Sequence, residues 1–295
     1  MSKEKIKSLI ENRIKGEGLV ESGLPGVQFF RVTESQRCAP AIYEPMVVAI
    51  VSGTKEAILD GARYEYDKNQ YMCCSMSMPV EAGTPKASPD NPLVGVLVSL
   101  DTKVMTELAI EYETVGASVR KHQSGELPSA FKLATWDHDF TDALTRLVEL
   151  ADSEIDMAIL GKARLREFYY TVLKGSAGAS ARRAFGIGNE IARAIDFLST
   201  NLDASLSIDE IASKIGMSRA VFHRKFKQAT SMSPIQFLKS MRLNNAAMKI
   251  AQGATVTQAA LDVGYVSSSQ FSREFKRLYG LSPKQWIKTA PVLAQ

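Results

Sequence analysis

Ser207-Ile-Asp-Glu-Ile-Ala-Ser-Lys-Ile-Gly216-Met-Ser218-Arg-Ala-Val-Phe222-His-Arg224-Lys-Phe226-Lys227 recurs as Thr255-Val-Thr-Gln-Ala-Ala-Leu-Asp-Val-Gly264-Tyr-Val-Ser267-Ser-Ser-Gln-Phe271-Ser-Arg273-Glu-Phe275-Lys276. Ser233-Pro234 and Ser282-Pro283 close the two copies. The glycines are 48 apart and Ser218 and Ser267 are 49 apart, so the second turn holds one extra residue. Such a repeat is one supersecondary unit used twice. Here the unit reads as helix, tight glycine turn, helix.

Both copies open with a capping-box pattern, Ser207-x-x-Glu210 and Thr255-x-x-Gln258, which can satisfy orphan amides at a helix start. Ile208, Ile211, Ala212 and Ile215 match Val256, Ala259, Ala260 and Val263 as inner-face positions. Gly216 and Gly264 fall where a helix end needs a left-handed residue. Ser218 and Ser267 are expected to cap the second helices. At about 100° per residue, Phe222 and Phe226 share one face, as do Phe271 and Phe275. The opposite face of the first copy carries Ala220, His223, Arg224 and Lys227, and that of the second Ser269, Ser272, Arg273 and Lys276. Small residues permit close approach to base edges, Arg forks onto guanine O6 and N7, and Lys pairs with phosphate. Double-stranded DNA is therefore the expected partner. The candidate DNA-binding set is Arg219, Ala220, His223, Arg224, Lys227, Ser268, Ser269, Ser272, Arg273, Lys276 and Arg277. The two readers differ in chemistry, so they are expected to read two different half-sequences in direct array.

Charge agrees. The chain carries +4, but from Phe185 onward 14 Lys/Arg stand against 7 Asp/Glu, a net +7, leaving −3 for the rest. A basic C-terminal third on a slightly acidic body suits a polyanionic partner. The 295 residues suggest about two domains, and a hydrophobic content of 45% suffices for real cores. No apolar stretch approaches the length of a membrane span, and the charged N-terminus does not read as a secretory signal. With only Cys38, Cys73 and Cys74, a disulfide framework is not expected. The reading is a cytoplasmic protein with free thiols.

This C-terminal region resembles the double helix-turn-helix domain of the AraC/XylS family of bacterial transcription regulators, over about 187–291. The resemblance rests on Ile211-Ala212, Gly216-Met217-Ser218, Phe222, Arg224 and Phe226-Lys227 in the first copy, on Phe237 and Arg242-Leu243 between the copies, and on Ala259-Ala260, Val263-Gly264-Tyr265, Gln270-Phe271-Ser272-Arg273, Phe275-Lys276 and Gly280-Leu281-Ser282-Pro283 in the second. Ala220 stands where the family often has a larger base-contacting side chain, which limits it to a thymine methyl. The resemblance implies a linker helix over about 234–251 that holds the readers about one DNA turn, roughly 34 Å, apart. It also implies RNA polymerase as a partner.

Upstream the pattern changes. Residues 3–15 place Ile6, Leu9, Ile10 and Ile14 at helical spacing. About six short strands follow in 26–100, with Asp60-Gly61 as a hairpin turn and a Pro/Gly-rich loop holding Pro79, Gly83, Pro85, Pro89 and Pro92. That pattern suggests a β-sandwich or small barrel with a mouth for a small ligand. Helices are expected from about 102 to 115, then 139–150 and 155–173, the last two as a hairpin serving core or a dimer contact. The order is similar to the cupin-like sensor and helical dimerisation region of the same family.

The fold class is thus α+β: an N-terminal cupin-like β-barrel or sandwich with a helical dimerisation hairpin, then an all-α double helix-turn-helix domain. The boundaries are 1–174 for sensing and dimerisation (β portion about 21–100, helical portion about 101–174), 175–188 for a flexible basic linker, and 189–295 for DNA binding. The two motifs span about 207–229 and 255–279.

The function expected is a sequence-specific transcriptional regulator, an activator responsive to a small organic effector or a reactive electrophile, with a second copy of the chain as a candidate partner. Cys38, Cys73 and Cys74 are the effector or redox candidates; in a strand, adjacent Cys73 and Cys74 should face opposite sides, one the barrel interior and one the exterior or a partner, and buried, inert thiols in a β core are the plainer reading. The alternatives are an enzyme with a cupin-like domain tethered to DNA and an architectural DNA-binding protein without effector. No enzyme, catalytic residue, cofactor or metal site is expected. Metal cupins need a His and carboxylate cluster, and His122, His138 and His223 all lie outside 26–100.

Overall fold

The computed structural model describes residues 2–117, 129–186, 189–204 and 207–289. His122 lies outside them. The chain begins with helix α1 (Ser2–Arg13), followed by strands β1 (Gly18–Glu21), β2 (Val27–Val32), β3 (Gln36–Tyr43), β4 (Met46–Ser52), β5 (Thr54–Leu59), β6 (Ala62–Asp67), β7 (Gln70–Cys74), β8 (Met78–Thr84) and β9 (Leu93–Ser99). Helix α2 (Thr102–Ala117), strand β10 (Phe131–Thr135), and helices α3 (His138–Glu149), α4 (Glu154–Lys174) and α5 (Gly178–Phe185) complete the N-terminal half. The C-terminal half is helical: α6 (Glu190–Thr200), α7 (Ile208–Lys214), α8 (Arg219–Thr230), α9 (Pro234–Ala251), α10 (Val256–Asp262), α11 (Ser268–Tyr279) and α12 (Pro283–Thr289).

The strands form two antiparallel sheets, ordered β1-β2-β9-β4-β7-β10 and β3-β8-β5-β6. Gly53 joins β4 to β5 at φ +76°, where a Cβ would lie 2.8 Å from the Leu93 backbone. The hairpin at Asp60-Gly61 has positive φ at both residues, 47° and 79°, the geometry that favours this dipeptide. Tyr64 of β6 meets Phe131 of β10 at 4.9 Å between ring centres and joins the sheets. Helix α3 lies against the six-stranded sheet, with Phe140 stacked on Tyr71 of β7 at 4.0 Å. Ile6 and Ile10 of α1 are fully buried in the same layer.

Three expectations change. The stretch Met78–Thr84 is a strand, not part of a loop. Pro79 lies opposite Ile42, past the last β5 partner pair Ile58–Glu81, so its missing amide disturbs a single ladder. Gly83 is required there, because a Cβ would come within 2.6 Å of the Cys38 amide. Secondly, β1, β3 and β10 add strands that periodicity did not show; β3 contains Pro40 and runs along a sheet edge, where proline is tolerated. Thirdly, the expected linker 175–188 is largely helix α5. Gly178, Ala181, Ala184 and Phe185 are buried, and the Arg182 guanidinium donates to the Leu173 carbonyl. The small residues that suggested flexibility instead allow close helix packing. Cys73 and Cys74 are both buried, in line with the plainer reading, because helices cover the outer face of their sheet.

Candidate nucleic-acid interface

Each helix-turn-helix is built by local chemistry. Ser207 Oγ accepts from the Glu210 amide at 3.1 Å and the Glu210 carboxylate accepts from the Ser207 amide at 3.0 Å, a complete capping box. The second copy keeps half of this. Thr255 Oγ1 accepts from the Gln258 amide at 3.2 Å, but the Gln258 side chain turns away and donates to Asp262 Oδ1 at 2.6 Å. The sequence pattern overstated that box. Complete ones stand at Ser233–Gln236, opening α9, and in the same pattern at Ser282–Gln285 before α12.

Gly216 and Gly264 have φ of +70° and +84°. The next amides, Met217 N and Tyr265 N, donate back to Ala212 O and Ala260 O at 2.9 Å, which closes both turns in the same way. Ser218 and Ser267 then accept from Val221 N and Gln270 N to start α8 and α11. Phe222, Phe226, Phe271 and Phe275 are fully buried and anchor both helices.

The opposite faces are open. Arg219, Ala220, Arg224, Lys227, Ser268, Ser269, Arg273, Lys276 and Arg277 are exposed, and His223 and Ser272 are half-buried. Arg219 pairs with Asp209 at 3.0 Å. Among the described residues no carboxylate lies within ion-pair distance of Arg224, Lys227, Arg273 or Lys276. The His223 Nε2 is enclosed without a protein partner, so only the other edge of its ring is available to DNA.

Sequence reasoning missed the groups that aim α11. Glu274 accepts from Tyr265 Oη at 2.8 Å, from Gln270 and from Lys239 of α9. Burial alone would raise its pKa, but these hydrogen bonds and the Lys239 charge outweigh that and hold it below the usual value. The i,i+4 pair Gln270/Glu274 was the available signal. Arg242 of α9 donates to the Leu202 and Ala204 carbonyls at 2.7 and 3.0 Å and fixes the loop before α7.

In the N-terminal half, Cys38 donates to Glu56 Oε1 at 3.3 Å. Burial, then the Glu56 contact, pushes its thiol up to about 11. Burial pushes Cys73 up to about 12, and pushes Cys74 up as well. Lys55, Tyr66, Tyr43 and Thr84 lie on the inner face of the four-stranded sheet. The Tyr43 and Tyr66 hydroxyls sense one another, but among the described residues neither reaches hydrogen-bond geometry with a protein group, and the Thr84 hydroxyl likewise has no partner among them. Burial depresses the Lys55 ammonium to about 8. A separate surface cavity of about 1330 Å³ between the β1–β2 turn and α4 is lined by Gly23, Leu24, Met157 and Tyr169, and by none of the reading-helix residues. No helix among the described residues is long and apolar enough to cross a membrane.

An antiparallel β region followed by two glycine-turned helix pairs with cationic outer faces defines a helix-turn-helix protein with an N-terminal β region. Residues 23–180 match the family model described as the AraC-type transcriptional regulator N-terminus, and 211–289 match a helix-turn-helix domain model. The chain belongs to the AraC family of transcriptional regulators.

The curated relatives match over limited stretches, and this chain spans less than a third of the first two relatives' length. An uncharacterised HTH-type transcriptional regulator of Haemophilus influenzae is 43% identical over 83 residues, and the regulator MtrA of Neisseria gonorrhoeae 36% over 83. Each match covers 28% of this chain and 28% of the relative. The regulatory protein SoxS of Salmonella typhimurium is 30% identical over 93 residues, covering 31% of this chain and 87% of that protein. Across both domains the fold is similar to that of ToxT from Vibrio cholerae, with a TM-score of 0.55 at 12% identity, covering 89% of this chain and 97% of that one. ToxT has also been solved bound to an unsaturated fatty acid.

Proposed function

We propose that this chain is a sequence-specific activator that reads DNA through α8 and α11 and responds to a small organic effector bound in its β domain. The observation that carries the reading is the pair of anchored helices whose exposed Arg224, Lys227, Arg273 and Lys276 lack acidic partners. Arg273 and Arg224 take base edges, Lys227, Lys276 and Arg277 take phosphates, and Ser268, Ser269 and Ser272 permit close approach. RNA polymerase is the partner that activation requires.

The unpartnered Tyr43, Tyr66 and Thr84 hydroxyls support an effector with hydrogen-bonding groups inside the β domain. The fatty acid bound by ToxT supports a small organic molecule as the class. Reactive-electrophile sensing is less well supported, because the nucleophile is the thiolate and all three thiols are held strongly protonated. An effector acts only through unequal affinity for two states of the protein.

The test is binding to duplexes selected from a random library by the full chain. Arg273→Ala should weaken the selected site by roughly 1–3 kcal/mol and relax one base position. Equal loss on selected and random DNA would make Arg273 a phosphate contact, and failure to select any sequence would refute sequence-specific reading.

A further inference from the structure

The two helix-turn-helix units are attached to the rest of the molecule differently. Phe222, Phe226, Phe237 and Met241 belong to an apolar core that runs without a break into the β domain. Leu243, Ala246, Ala247, Ile250, Ala259, Ala260, Val263, Tyr265, Phe271 and Phe275 form a second core of their own. The changeover falls inside α9, between Met241 and Leu243.

Asn244 sits just past that changeover and is 4% exposed. Its Nδ2 donates to the Ala41 carbonyl of β3 and to the Val80 carbonyl of β8, both at 2.8 Å. Its Oδ1 accepts from Tyr279 Oη, at the end of α11, at 2.6 Å. An amide is suited to this position because it offers two donors and an acceptor on one short rigid stem. The first unit is also tied to the β domain by backbone: the Ala130 amide donates to Ala229 O of α8 at 2.9 Å, while Ala130 O accepts from Ser75.

We propose that Asn244 is the positioning residue that sets the second reading helix relative to the first, and that the second unit is the movable one. This rests on the DNA-reading function proposed above. The first unit shares its core with the β domain, so separating them exposes apolar surface. The second meets the β domain through α9, where the Asn244 hydrogen bonds fix its placement. Ala41 and Val80 face each other across β3 and β8, strands that also carry Tyr43 and Thr84. A shift of β3 against β8 around an effector pulls the two carbonyls out of register with one amide, and α11 is then released to a new distance from α8.

Two substitutions in the full chain test this. Asn244→Asp removes both donors to the β domain and keeps an acceptor for Tyr279; Tyr279→Phe removes the α11 link and keeps the donors. Amide hydrogen exchange, which needs no DNA, should quicken in α10–α12 for Asn244→Asp while α7 and α8 keep wild-type protection. Tyr279→Phe, the milder change, should loosen α11 and leave β3 and β8 unchanged. On the selected duplex, inserting one base pair between the half-sequences should cost the wild type roughly tenfold or more in affinity; in Asn244→Asp that ratio should fall toward one.

Unchanged exchange in α11 for both variants overturns the proposal, as does equal loosening of all C-terminal helices. So does a spacing ratio that stays at the wild-type value in Asn244→Asp. If Asn244→Asp does not fold, Tyr279→Phe decides by the same exchange and spacing readouts. If the wild type selects no sequence, the DNA-reading function fails while hydrogen exchange still decides the clamp.

Discussion

Gly216 and Gly264 hold the same place in the repeat but not the same surroundings. A Cβ on Gly216 meets nothing within 4 Å, whereas one on Gly264 lies 2.9 Å from the Leu202 and Asp203 backbone. Both positions have positive φ, which costs an L-residue roughly 1–2 kcal/mol. Gly216→Ala should therefore lose about 1 kcal/mol, and Gly264→Ala roughly 1–3 kcal/mol more from overpacking against backbone, as read from urea midpoints. Equal losses would mean that the second turn is not pressed on the 202–203 loop. Lys55 makes a second claim at this scale. Its folded pKa of about 8 lies below the ordinary 10.5, so between those values the unfolded chain binds more protons and this residue's contribution to stability rises with pH. Cys73 works in the opposite sense above its ordinary 9.0, so the informative comparison is with Lys55→Met. The stability advantage of that variant should be largest below pH 8 and shrink toward pH 10.5. An advantage independent of pH would place the Lys55 amine in water.

The helices show what was legible in the sequence. Linker helix α9 spans Pro234–Ala251, the range the family resemblance implies, and Ser233 and Pro234 start it. The reading helices and their phenylalanine anchors were equally plain, since capping, glycine turns and 3.6-residue periodicity are local signals. Helix α5 was not, because Gly178, Ala181 and Ala184 signal flexibility until a packing partner is known. Strand β8 was hidden by Pro79 and Gly83, both justified only by what lies beside them. Asn244 was invisible for the same reason: its partners lie 164 and 203 residues away in sequence. The caps yield a prediction. Ser207→Ala breaks a reciprocal box and should cost about 1 kcal/mol, with faster amide exchange at the start of α7. Thr255→Ala breaks a single bond and should cost less; equal costs would show that the Glu210 arm contributes nothing.

At the scale of the molecule, α4 leaves Ile155 and Ile159 more than 70% exposed on one side, with Leu160 beside them. Two isoleucines at i and i+4 form an apolar stripe suited to a second copy of the chain. If the wild type dimerises through this stripe, Ile155→Glu with Ile159→Glu should leave a monomer in sedimentation velocity. A wild-type chain that stays monomeric at tens of micromolar would remove this interface. A dimer would place four reading helices on one stretch of DNA, two per chain.

The split core inside α9 also bears on where chimeras of such chains can be joined. A crossover in the loop at Gly253 would separate Leu243, Ala246, Ala247 and Ile250 from the helices they pack against. A crossover in the middle of the helix, between Arg242 and Leu243, would leave Arg242 with the 202–204 loop and each set of apolar residues with its own partners. A chimera that swaps the second unit should therefore be joined inside the helix, and the loops on either side of it are the wrong place to cut.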